Sequence, residues 1–138
     1  LFGHDSHLNL ESYDIDSFAD SAMFGHLSAS LGVTYKFHHQ SSLEVQLRPT
    51  DILFIDTLHC YWQVANELAR HHEMVRQFIV LHDTVSFAND TWGDCSFVDL
   101  DPELDWQVRI GIAPAIRDFL IEHSEWREVV EFKYASGL

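Results

Sequence analysis

The stretch DILFIDTLHCYWQVANELARHHEMVRQFIVLHDT, Asp51 to Thr84, changes its hydrophobic period twice, and those changes decide the fold class. Asp51 to Ile55 is a compact apolar run entered through Pro49 and closed by Asp56, the pattern of a strand buried on both faces. Tyr61, Val64, Ala65, Leu68 and Val75 then recur at helical spacing, with His71, His72 and Glu73 read as a solvated face. Phe78 to Leu81 is again a short apolar strand, closed by His82, Asp83 and Thr84. Strand, helix and strand in this order, with acidic residues at the strand exits, predict a parallel α/β sheet.

Working outward from this stretch, Leu10 to Tyr13 is a short strand candidate ending in Asp14, Ile15 and Asp16. A loose helical pattern covers Phe18 to Leu31, with Ala22, Met23, Leu27 and Leu31 as its apolar positions and Gly32 as its stop. Val33, Tyr35 and Phe37 alternate with polar residues as a strand does, and His38 to Ser42 reads as the loop beyond it. On the other side, Phe87 to Trp106 is rich in Asn, Asp and Gly and reads as a long loop or lid. Pro114 opens a helix with Ile116, Phe119 and Leu120 facing inward. Val129 to Tyr134 reads as a closing strand.

The bulk properties narrow the function. A chain of 138 residues, 46% hydrophobic and 22% charged, suits one domain, 1–138, with a real core. Its formal net charge of -14 disfavours nucleic acid and anionic membrane surfaces as partners. No apolar run reaches the ~18 residues of a membrane span. Two distant cysteines, Cys60 and Cys95, are too few for a disulfide framework. With no signal peptide visible, a cytoplasmic setting is the default expectation.

Ligands of open α/β sheets sit outside the carboxyl ends of the strands. Acidic groups fall at such ends in three places: Asp14 with Asp16, Asp56, and His82 with Asp83. A carboxylate after the early strand can accept hydrogen bonds from the two hydroxyls of a ribose, although Asp is equally a turn residue and a helix cap. Asp56, Asp83 and His82 from neighbouring strands can share a divalent ion, with simple capping as the alternative. His59, three residues past Asp56, is the best general-base candidate, because imidazole titrates near neutrality. Against it stands the abundance of histidine, ten in the chain.

The order FIDTLHCY (Phe54 to Tyr61), LHDT (Leu81 to Thr84), YDID (Tyr13 to Asp16) and GIAPAIRDFL…WREVVEFKYASGL (Gly111 to Leu138) resembles the class I, S-adenosylmethionine-dependent small-molecule O-methyltransferases. It is especially similar to the group containing cephalosporin hydroxylase-like and macrocin O-methyltransferase-like proteins. The resemblance covers nearly the whole chain. It implies a Rossmann-like, mostly parallel sheet with helices on both faces, and transfer of a methyl group to a small-molecule hydroxyl or similar acceptor. It also implies that Asp14, with Asp16 beside it, binds the cofactor ribose, and that Ser41 and Ser42 lie at the adenine end. Asp56 would sit beside the methionine part and, in metal-dependent relatives, bind magnesium with His82 and Asp83. His59 matches a family histidine suited to substrate contact or base duty.

Three departures accompany the resemblance. Ser41 stands where the family usually has an acidic residue, and His82 replaces an acidic residue of the metal-dependent relatives. The family's first strand and glycine-rich turn have no counterpart before Leu10, where only Gly3 occurs. The chain thus reads as a class I fold lacking its first βα unit. A non-catalytic, degenerate binding or assembly module is the alternative, and a homo-oligomer would cover the exposed sheet edge.

Overall fold

A computed structural model describes residues 8–17, 21–92, 95–96 and 98–132. Phe18, Tyr134 and the side chain of Ala22 lie outside what is described. The chain is mixed α/β and divides into two compact units, Leu1–Val45 and Gln46–Leu138. No helix among the described residues is long and apolar enough to cross a membrane.

In the first unit, β1 (Leu8–Asp14) pairs in parallel with β2 (Val33–His39), and α1 (Ser21–Ser30) makes the crossover. Gly32, at φ +70, ends the helical segment where a side chain would be strained. β2 continues two residues past Phe37, so His38 and His39 are strand and not loop. The extension is held by cross-strand contacts. Tyr13 stacks on His38 with ring centroids 4.6 Å apart, and Glu11 meets His38 Nε2 at 3.1 Å. Met23, Leu27 and Leu31 are exposed, so the apolar positions of this helix are not a buried stripe.

In the second unit, β3 (Thr50–Ile55) and β4 (Val75–Leu81) form a parallel pair with Ile55 opposite Leu81. Between them run α2 (Tyr61–His71) and a 3₁₀ turn, His72–Met74. Val75, expected at the end of the helical stripe, is instead the first residue of β4. After β4 come a long loop, a 3₁₀ turn at Asp105–Val108 and α3 (Ala113–Glu122), whose Pro114 sits in the first turn as expected.

The core gathers Ile55, Val64, Leu68, Ile112, Ala115 and Phe119, with Leu53, Ile79 and Leu81 packed against it. Both helices therefore contribute to a core on one face of the strand pair. Ile52, Phe54 and Phe78, which alternate with the core residues, are exposed. The expectation that these strands are buried on both faces is corrected: period-2 alternation sends every second side chain to a face that α2 and α3 do not cover.

Two further expectations are corrected. His71 is 4% exposed and belongs to the interior, not to a solvated face. Residues 126–132 form no strand; Val129, Val130 and Phe132 stand exposed. An apolar β-branched run becomes a strand only where a neighbour completes its hydrogen bonds.

The loop after β4 is organised from inside. Cys95 and Cys60 are fully buried and pack with Val108, Leu58 and Trp62. Gly111 passes so close to the chain at Phe87 that a Cβ there would collide with the Phe87 carbonyl oxygen. The Ile112 amide donates to that oxygen at 2.9 Å, and the Ala113 amide to the Ala88 oxygen at 3.0 Å. The loop is thereby fastened to the entry of α3.

Candidate functional site

The carboxyl ends of β3 and β4 lie side by side because the strands are parallel and in register, and the His82 amide extends the ladder to the Ile55 oxygen at 3.0 Å. The chain leaves β3 through Asp56 and β4 through His82 and Asp83, so these three side chains start from adjacent backbone. His59 Nε2 lies 3.3 Å from Asp83 Oδ2 and 3.6 Å from Asp56 Oδ1. His82 Nδ1 lies 3.4 Å from Asp56 Oδ1 and 3.3 Å from Asp83 Oδ1. Two carboxylates thus alternate with two imidazoles. Donor atoms of Asp56, His59 and Asp83 all lie within 4.8 Å of one another.

Two backbone features hold this cluster. Asp83 adopts φ +55, a left-handed conformation that Asp tolerates better than most side chains. That turn bends the chain so that the Phe87 amide reaches the Asp83 oxygen at 3.0 Å. The Phe87 ring then stacks on His59, with centroids 4.1 Å apart and planes at 16°. His59 is 17% exposed, covered by the aromatic ring on one face while its Nε2 edge meets the carboxylates.

The loop that carries Asp56 and His59 is tied from below by Glu67 of α2, which is 1% exposed. Its Oε2 accepts from Thr57 Oγ1 at 2.8 Å and its Oε1 from Gln63 Nε2 at 2.7 Å. A buried carboxylate is tolerated when both oxygens are hydrogen-bonded. Glu67 and Phe87 are thus positioning residues that sequence patterns did not single out. The spacing of Gln63 and Glu67, four apart on the apolar side of α2, was the available signal.

Magnesium prefers oxygen donors in octahedral geometry, whereas imidazole with carboxylate suits borderline ions such as zinc. The Asp56, His82 and Asp83 set therefore fits magnesium poorly, and His59 adds a second nitrogen. The cluster is better suited to proton handling. An imidazole fixed against a carboxylate is oriented by it and can take up and hand on a proton.

The cofactor-binding candidates of the first unit stand at the equivalent end of its own strands. Asp14 closes β1, and the Gln40 amide donates to its backbone oxygen at 2.9 Å. Asp14 Oδ1 accepts from the Asp16 amide at 2.8 Å, an Asx turn, and both residues are exposed. Ser41 and Ser42 follow β2, and Ser41 Oγ accepts from the Leu43 amide at 3.2 Å. A carboxylate offers about four acceptor positions, so the turn leaves Asp14 capacity for a vicinal diol.

Trp92 and Trp106 serve the loop. Trp92 is exposed and its Nε1 donates to the Ser86 oxygen at 3.1 Å, while Trp106 packs on Tyr61 with ring centroids 5.0 Å apart. A hollow of about 660 Å³ lies beside β4, walled by Phe78, Val80, Ile116 and Leu120. Thr84 is its nearest point to the cluster in sequence, and none of the four titratable side chains lines it. Comparison of the chain with protein-family models, with curated proteins and with solved structures found no match.

Proposed function

We propose that the chain is a Rossmann-like domain of the class I methyltransferase type, acting in S-adenosylmethionine-dependent methyl transfer to a small-molecule hydroxyl. The observation that carries this is the meeting of His59 with Asp83 and Asp56 at the carboxyl ends of two parallel strands. That is where ligands of open α/β sheets bind and where a proton acceptor is needed. The parallel pairing of β1 with β2 and of β3 with β4, each around a crossover helix, lends support.

When bound, the cofactor supplies an electrophilic methyl group. The chain's own residues do the rest. Asp14 accepts hydrogen bonds from the ribose hydroxyls. His59 receives the proton of the acceptor hydroxyl on the ring nitrogen away from the carboxylates, and the positive ring so formed is stabilised by Asp83 and Asp56 beside its Nε2. Phe87 keeps the ring from turning away. Most of the acceleration comes from holding the two reactants in line.

Calorimetric titration with S-adenosylhomocysteine, with and without magnesium, tests the proposal. Micromolar binding that is independent of magnesium and weakened in Asp14→Ala is expected. Absence of binding by the folded chain would overturn it in favour of a non-catalytic module.

A further inference from the structure

A second cluster lies at the opposite ends of the helices from the His59 site. His72 is the residue at which α2 ends, and His123 is the residue at which α3 ends. Helix carboxyl termini carry partial negative charge from unpaired carbonyls, so two of them meeting favours a cation. The two imidazole rings lie 4.1 Å apart between centroids, and Phe119 packs against both. Glu125 Oε1 lies 3.4 Å from His123 Nδ1. Donor atoms of His72, His123 and Glu125 all lie within 4.8 Å of one another.

The protonation of His72 is set by its surroundings. Its Nδ1 lies 2.8 Å from the Leu68 carbonyl oxygen. A carbonyl can only accept, so Nδ1 carries the hydrogen and Nε2 keeps its lone pair in the neutral ring. Metal-ligating histidines are commonly fixed this way, with the second nitrogen donating to a backbone oxygen.

We propose that His72, His123 and Glu125 form a binding site for a zinc-class divalent ion. Two imidazoles and one carboxylate make a ligand set that zinc uses when a fourth position stays open. The spacing of His123 Nδ1 and Glu125 Oε1 is already that of two corners of a tetrahedron with arms of about 2.1 Å. Glu125 is exposed, at the solvent side of the cluster. His72, His123 and Glu125 all line a hollow of about 630 Å³, which has room for water or a small ligand beside them.

The test is zinc titration of the full chain against a chromogenic chelator, with cobalt substitution to record the visible spectrum. The background variant Asp83→Asn weakens the other metal-capable group, Asp56 with His59 and Asp83. One zinc ion per chain is expected in the wild type and in Asp83→Asn, with the bands of a tetrahedral cobalt ion. Affinity falls by about tenfold or more in His123→Ala and in Glu125→Gln. Glu125 is exposed, so the Glu125→Gln result stands even where His123→Ala unfolds. No zinc binding by the wild type, or binding lost in Asp83→Asn and kept in Glu125→Gln, would overturn the proposal.

Discussion

Nε2 of His59 lies 3.3 Å from Oδ2 of Asp83, although 24 positions separate the two residues in the chain. Parallel pairing of β3 with β4 brings their exits together, and the left-handed turn at Asp83 aims the carboxylate at the ring. If this pair handles the proton of a substrate hydroxyl, His59→Ala lowers methyl-transfer turnover by about 10²- to 10⁴-fold. Binding of S-adenosylhomocysteine stays within a few-fold. Asp83→Asn keeps a side chain that tolerates positive φ and lowers turnover less than His59→Ala does. Equal turnover in all three proteins would remove the pair from the chemistry.

Glu67 holds the loop before α2 through Thr57 and Gln63. Replacing it by Ala leaves two donors without their acceptor in the interior, at a cost of about 1–3 kcal/mol. Urea unfolding measures this, and Glu67→Gln, which keeps one acceptor oxygen, is expected to lose less. Faster amide exchange at residues 57–60 accompanies the loss.

Gly111→Ala tests the fastening of the Phe87 loop. The added methyl would meet backbone, not a flexible side chain, so the loop must move. Destabilisation of about 1–3 kcal/mol is expected from overpacking. Because Phe87 stacks on His59, the His59 ring protons lose their upfield ring-current shift in the nuclear magnetic resonance spectrum. A melting point and spectrum like those of the wild type would contradict the close approach.

Tyr61 donates its hydroxyl to Asp118 Oδ2 at 3.3 Å, and its pKa is raised above 10.0, first by burial and then by the nearby Asp118 charge. A raised folded-state value means the neutral phenol is favoured on folding. Its contribution is complete below pH 10.0 and is lost as the pH rises through the raised value. Tyr61→Phe is therefore less stable than the wild type near neutrality, by about 1 kcal/mol or less. The gap narrows in alkaline solution, which chemical denaturation across pH detects.

The α/β character and the positions of β3, α2, β4 and α3 were legible because each has a distinct period and a clear stop, such as Asp56 after Ile55 and Pro114 at the start of α3. The placement of Asp56, His82 and Asp83 at strand ends was legible for the same reason, because they stand where apolar runs stop. Burial was less legible. Ile52, Phe54 and Phe78 are apolar yet exposed, since a sequence does not show which face of a strand its helices cover. His71 is polar yet interior, and its pattern resembled that of a solvated neighbour. Contacts made by tertiary packing left no local trace: Phe87 on His59, Gly111 against Phe87, and His72 beside His123. The run at Val129 and Val130 had strand character, but pairing depends on a neighbouring edge, which propensity does not supply.

Following the histidine side chains by ¹H–¹⁵N resonance spectroscopy while S-adenosylhomocysteine is added tests the proposed methyl-transfer role most directly. Saturable shifts at His59 and His82, with His72 and His123 unchanged, are expected of that role. No change at His59 and His82, or change confined to His72 and His123, would contradict it.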